Sequence, residues 1–391
     1  MRQSLAFACL AFILTIAGCQ NKKYPKAGQP LHRAGDEIVI AGQYFHTRAP
    51  VVLWTDPGGY DAYRTERRFV PWDQASFAKT AAETAENKRL KRDGTTVDSP
   101  ERYSIRFAPT TRSTTRPSNR TRPGRPTDGG TKLTAEEFEQ VRGGGWPLEL
   151  VREKVDQFVY HYDVAATSRG CFKTLHDMRG LSVHFMLDLD GTIYQTLDVK
   201  ERAWHASESN SRSVGIEICN IGAYPDNDRK RLDTYYRKDE SGKTQVVLPV
   251  WAKGSLRTPN FIARPMRQDM VVGNVQGTDY YQYDLTPEQY DSLIKLTAAL
   301  CTNLPRIKPD YPRNDSGKLI TKVLEDAQWE NYSGLLGHFH VQENKQDPGP
   351  AFQWDKVING ARKRMGLRPL PAGDVINNPK ARPQQPKIAK Q

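Results

Sequence analysis

Phe158-Val159-Tyr160-His161-Tyr162 and Val214-Gly215-Ile216-Glu217-Ile218 are two apolar runs, each broken by one chemically active side chain. Runs of this length, rich in β-branched and aromatic residues, read as strands. Residues 181–187 and 192–197 read as two more, and Asp190-Gly191 between them is a strong hairpin signal. A helix is expected from Thr286, with Pro287 at its first position and Gln289 completing a capping box. Leu285 and Tyr290 are set to staple its entry, and Tyr290, Leu293, Leu296, Leu300 and Leu304 give one apolar face. A last helix is expected over about 353–365, burying Trp354, Val357, Ile358, Ala361 and Met365. The pattern is α/β, a central mixed β-sheet flanked by helices.

A third segment, Gly337-His338-Phe339-His340 leading to Lys345-Gln346-Asp347-Pro348-Gly349-Pro350, supplies the rest of a site. His161, His338 and Asp347 make a two-imidazole, one-carboxylate set that leaves the fourth position on zinc open to water. Glu217 is then a spare carboxylate for proton transfer, and Lys345 a cation for a developing oxyanion. The apolar neighbours Val214, Ile216 and Ile218 are expected to raise the pKa of Glu217 toward that of a working base. Blander readings stand beside these. A lone His in an apolar run also serves as a satisfied core residue, and Glu217 also suits an ion pair with Lys345. His340, two residues past His338 and on the same face of a strand, competes as a ligand.

The first residues bear on the compartment. Arg2, the apolar stretch from Leu5 to Ile16, and Ile16-Ala17-Gly18-Cys19 form a run too short to span a membrane, ending in a processing site that resembles a bacterial lipobox. Cleavage after residue 18 would leave Cys19 as an acylated N-terminus, anchored to a membrane without crossing it. Gln20 stands where Asp is associated with inner-membrane retention, which favours the outer membrane, facing the periplasm. The net charge of +12 suits anionic polymers, and behind a secretion signal lipid headgroups or wall glycopolymers are expected in place of nucleic acid. Cys171, Cys219 and Cys301 are read as small buried residues, with one disulfide open to an oxidising envelope.

Five segments follow: a lipoprotein signal peptide over 1–18, an anchor and small β unit over 19–104, a basic linker over 105–132, the enzyme-like domain over 133–368, and a basic tail over 369–391. The linker and tail are too poor in apolar side chains to offset ordering entropy and are expected to be disordered. The small β unit, carried by residues 37–45 and 50–54 with a turn at Asp56-Pro57-Gly58-Gly59, is read as a spacer or binding module.

Taken in order, Phe158-Val159-Tyr160-His161, Ser182-Val183-His184-Phe185, Asp190-Gly191-Thr192-Ile193-Tyr194-Gln195, Ala203-Trp204-His205-Ala206, Asn210, Ser213 to Glu217, Gly337-His338 and Lys345 to Pro350 resemble the type 2 N-acetylmuramoyl-L-alanine amidases. These share a fold with peptidoglycan recognition proteins and phage-type amidase lysozymes. The resemblance covers about residues 150–366. It implies zinc on His161, His338 and Asp347, Glu217 and Lys345 as catalytic groups, and a cleft lined by His205 and Asn210. His184 falls on a family motif with a structural part in the sheet as its other reading. The implied substrate is peptidoglycan or muropeptide, cut between N-acetylmuramic acid (intact or anhydro) and L-alanine by a monomer. The alternative is a lipoprotein of the same fold that binds without cutting. The stretch from about 224 to 283 is longer than in the family and is expected to form an added lobe near the cleft.

Overall fold

The computed structural model describes residues 31–63, 103–105 and 147–373, with Gly28 and Glu136 as isolated positions. Cys19, the signal peptide, most of the linker and the tail beyond residue 373 therefore lie outside the described residues. Chain contacts separate Met1–Ala34 from Gly35–Gln391, and the second unit carries the fold.

Strands β1 (Glu37–Ile40) and β2 (Gln43–His46) form a hairpin. The sequence suggested one long strand here. The break falls at Ala41-Gly42, both at positive φ (52° and 73°), as a two-residue turn between twisted strands requires. Then come β3 (Val51–Leu53), β4 (Tyr103–Ile105), α1 (Leu148–Lys154), β5 (Gln157–Tyr162) and α2 (Ser168–Phe172), which runs on into a π-helical turn at Lys173–Met178. Next are β6 (Phe185–Leu187), β7 (Ile193–Gln195), β8 (Glu201–Ala203), β9 (Ser213–Ile218), β10 (Tyr236–Lys238), β11 (Thr244–Val246), β12 (Val271–Val275) and β13 (Thr278–Gln282). The chain closes with α3 (Pro287–Asn303), α4 (Asp326–Asn331), β14 (Gly334–Gly337), α5 (His338–Val341) and α6 (Trp354–Arg364).

Six strands make the central sheet in the order β14-β5-β9-β6-β7-β3. The first four are mutually parallel, β7 runs against β6, and β3 runs parallel to β7. The sheet is mixed, as the sequence implied. Because β3 is its edge strand, the small N-terminal β unit is built into the enzyme-like domain and is not a separate module. All three residues of β3 are buried, the continuous apolar reading of a strand covered on both faces.

Period-2 alternation divides the sheet. Phe158, Tyr160, Val214, Ile216, Ile218, Phe185 and Leu187 share one core with Tyr290, Leu293, Leu296 and Leu300 of α3 and with Trp354, Val357 and Ile358 of α6. The capping box of α3 is present: Thr286 Oγ1 accepts from Gln289 N, and Gln289 Oε1 accepts from Thr286 N. Val159, His161, Gly215, Glu217 and Met186 fall on the opposite face. Met186, Glu217 and His161 stand in one row across three neighbouring strands.

The segment 224–283 holds the β10–β11 and β12–β13 hairpins. Leu232 and Tyr236 are buried with Ile221 and Ala166, and Tyr236 stacks on Tyr283 at 4.1 Å. Cys171, Cys219 and Cys301 are buried and free. No helix among the described residues is long and apolar enough to cross a membrane.

Candidate metal centre

His161 is the fifth residue of β5, and Gly337 at the end of the parallel β14 lies beside Tyr160. The next residue, His338, thus comes level with His161 just as the chain leaves the sheet. Asp347 returns nine residues later, its backbone oxygen accepting from Phe339 N. Three donors converge there. His161 Nδ1 lies 2.9 Å from Asp347 Oδ2 and 3.0 Å from His338 Nδ1, and His338 Nδ1 lies 3.0 Å from Asp347 Oδ2. All three residues are buried. Ligands about 2.0 Å from a tetrahedral ion sit roughly 3.3 Å apart, so this triangle fits a small divalent metal after a slight opening. The other imidazole nitrogens are anchored: His338 Nε2 donates to Gln342 Oε1 at 2.6 Å, and His161 Nε2 lies 2.9 Å from His205 Nδ1. Such outer bonds aim the metal-facing nitrogens.

The local charges follow from burial and proximity. Burial, reinforced by repulsion from His338, pushes the His161 pKa down to about 4. Burial works against the Asp347 carboxylate, but the two imidazoles outweigh it and hold Asp347 well below the usual carboxylate range. Glu217 is pushed well above its usual 4.5 by burial and then by the carboxylates of Asp347 and Asp163, with Lys345 and Arg179 opposing. The direction matches expectation, but the cause is different. Ile216 and Ile218 pack into the core on the other face, so the burial of Glu217 comes from its own side of the sheet. Its Oε2 is buried without a hydrogen-bond partner among the described residues. Lys345 is close enough to act electrostatically on both Glu217 and His161.

His340 is no ligand. The segment 338–341 is a helical turn and not a strand, so residues two apart diverge. His340 Nδ1 accepts from Gly337 N at 2.9 Å and its Nε2 donates to Ile320 O at 2.7 Å, leaving no free lone pair. His184 is tied in the same way: its Nδ1 accepts from Gly215 N and its Nε2 donates to Glu201 O. Asn210 uses its side-chain oxygen on the backbone amides of His205 and Ala206, and His205 stands behind His161.

Two glutamines that the sequence did not flag fasten the metal loop. Gln276, at φ 54° in the β12–β13 turn, donates through Nε2 to Phe339 O and Gln342 O and accepts from Val323 N. Gln282 donates to Pro348 O and accepts from Ala351 N, and a Cβ at Gly349 would come within 2.2 Å of it. The added segment therefore grips both ends of the loop carrying His338, Lys345 and Asp347. The only sequence signal was the Gln276-Gly277 turn between two alternating runs. Gln276→Ala is expected to cost about 1–3 kcal/mol, the loss of two or three partly buried hydrogen bonds. Urea unfolding checks it, and an unchanged midpoint would show that the grip carries no load.

A sequence profile of the N-acetylmuramoyl-L-alanine amidase family matches residues 151–350, just over half of the 391-residue chain. The 1,6-anhydro-N-acetylmuramyl-L-alanine amidase AmpD of Haemophilus influenzae is 21% identical over 231 residues, covering 59% of this chain and 78% of that protein. The E. coli N-acetylmuramyl-L-alanine amidase AmiD, solved with the substrate anhydro-N-acetylmuramic acid-L-Ala-D-gamma-Glu-L-Lys, is 19% identical over 57% of this chain and 62% of that one, with a TM-score of 0.31. AmpDH3 of Pseudomonas aeruginosa, solved with an anhydromuramic pentapeptide, is 17% identical over 55% and 61%, with a TM-score of 0.29. The chain thus spans less than two thirds of the length of either solved protein. The family match runs from α1 to Pro350 and takes in His161, Glu217, His338, Lys345 and Asp347; this chain belongs to the N-acetylmuramoyl-L-alanine amidase family.

Proposed function

We propose that this chain is a zinc-dependent amidase that hydrolyses the bond between N-acetylmuramic acid and L-alanine in peptidoglycan or anhydro-muropeptides, in the service of wall turnover. The observation that carries the reading is the row in which Glu217 stands directly beside His161, next to a donor triangle of 2.9–3.0 Å. The family match and the activity named for AmpD support the substrate class.

Zinc bound there would supply a Lewis acid for the amide carbonyl and would lower the pKa of a water toward about 7. The rest is the work of the chain. His161, His338 and Asp347 would hold the zinc through the three donors that converge there. Glu217, held off solvent with its Oε2 unpartnered, takes a proton from the attacking water and returns it to the departing alanine nitrogen. Its raised pKa suits both halves of that transfer. The Lys345 ammonium offsets the negative charge that develops on the carbonyl oxygen. An unactivated amide is inert enough to need all three aids. Digestion of purified sacculi and of anhydro-muropeptides, with fragments identified by mass, tests the reading. Free stem peptide with a new L-alanine N-terminus is the expected product, and zinc-loaded protein that leaves both substrates intact would sink it.

The reading extends to the envelope. The short apolar run ending at Cys19 supports a lipid anchor and a place on the periplasmic face of the outer membrane. Full-length protein is expected in the membrane fraction of a bacterial host, with Cys19→Ala abolishing acyl labelling. Unacylated wild-type protein in the soluble envelope fraction would remove the anchor from this account.

A further inference from the structure

We infer that His205 is a positioning residue for the metal centre: it fixes the tautomer of His161, and Ser213, Gly215 and Asn210 in turn fix His205. The inference rests on the metal reading above.

Consider His161 first. A neutral imidazole carries one proton, so a ring whose Nδ1 lone pair serves a metal must hold that proton on Nε2. The group facing His161 Nε2 is His205 Nδ1, at 2.9 Å. To accept that proton His205 Nδ1 must be bare, which puts the His205 proton on its own Nε2. That atom lies 3.2 Å from Ser213 Oγ, a hydroxyl able to accept. The two rings stand nearly perpendicular, 86° apart with centroids at 5.1 Å. The proton chain then runs from His161 Nε2–H to His205 Nδ1, and from His205 Nε2–H to Ser213 Oγ.

The surroundings are shaped for this ring. Gly215 lies in β9 between Ser213 and Glu217, on the face that carries Glu217, and a Cβ there would come within 2.5 Å of the His205 imidazole. Glycine weakens a strand interior and marks the close approach of another group. Asn210 Oδ1 accepts from the amides of His205 and Ala206 at 3.0 and 2.7 Å, setting the backbone from which the ring projects. His338 has a matching arrangement, with Gln342 Oε1 on its Nε2. Both metal-facing imidazoles are therefore held from behind, one by an amide and the other by a histidine. The sequence assigned His205 and Asn210 to substrate contact; this geometry gives them a task one layer beneath the ligand.

The test is zinc affinity of the full chain, measured by chelator competition, with imidazole ¹⁵N shifts as a second readout. His205→Ala is expected to weaken zinc binding by about 10- to 100-fold. His205→Gln, whose side-chain oxygen still accepts, is expected to recover most of that loss. Gly215→Ala, which displaces the ring without removing it, is expected to fall with His205→Ala. In the wild-type protein His161 Nε2 is expected to be the protonated nitrogen, a measurement that needs no variant to fold. Wild-type affinity in both His205→Ala and Gly215→Ala, or a proton on His161 Nδ1 in the zinc-loaded protein, overturns the inference alone. A wild-type chain that takes up no zinc overturns the metal reading and this inference with it.

Discussion

A Glu217→Gln protein is expected to keep its fold and the zinc proposed for it and to lose roughly 10² to 10⁴ of its rate. The side chain is isosteric, so the row with Met186 and His161 is undisturbed; only the capacity to take and return a proton goes. The assay is release of free stem peptide from muropeptides, with zinc content measured on the same sample. Near wild-type release by folded, zinc-loaded Glu217→Gln would reduce Glu217 to a structural acid. Stability gives a second, independent signature. The carboxyl pKa of Glu217 is raised in the folded zinc-free chain, so the folded state binds more protons than the unfolded one. Burial of this group is free of cost below the usual 4.5, and the cost grows as pH rises toward the folded value. Removing the acid is therefore expected to stabilise the zinc-free protein at neutral pH and to leave it unchanged at pH 4.

His161→Ala and His338→Ala are each expected to remove most of the metal read by elemental analysis, because each deletes one corner of the only donor triangle with three buried members among the described residues. A ligand that binds only the folded state stabilises it by an amount that grows with the logarithm of its free concentration over its dissociation constant. A chelator is therefore expected to lower the melting temperature of the wild type and leave His338→Ala where it is. His340→Ala supplies the contrast. It loses one buried and one partly buried hydrogen bond, to Gly337 N and Ile320 O, so it is expected to be less stable by about 1–3 kcal/mol while still taking up zinc. Full zinc occupancy in His338→Ala would dismantle the assignment, and loss of zinc from a folded His340→Ala would reopen the choice between the two histidines.

The residues that make this site were legible because each breaks a pattern. His161 and Glu217 interrupt apolar runs, and period 2 makes any such interruption a break in one face of a sheet. The capping box of α3 and its buried face were likewise readable, since both are fixed by neighbours within one or two helical turns. What sequence could not supply was the pairing of strands. That β5 lies between β14 and β9 is what sets His338 and Glu217 on either side of His161, across separations of 177 and 56 residues. The identity of the second imidazole also hung on local backbone: a strand at 338–341 would have put His338 and His340 on one face, and the helical turn sends them apart. The same helix brings Gln342 under His338, a relation of i and i+4 that exists only once the segment is helical.

The sequence by itself determined the class of the fold, named the five candidate side chains that meet or flank the donor triangle, and anticipated the direction of the shift at Glu217. Tertiary structure alone decided three further points. β3 belongs to the catalytic sheet, because a wholly buried three-residue strand is stable only against a neighbour it cannot name in sequence. The added segment grips the metal loop through Gln276 and Gln282, because a neutral amide carries no signal until the carbonyls it serves are brought to it. And His205 Nδ1 meets His161 Nε2, because a hydrogen bond of 2.9 Å across 44 residues depends on where the loop after β8 comes to rest beside β5, which no local pattern encodes.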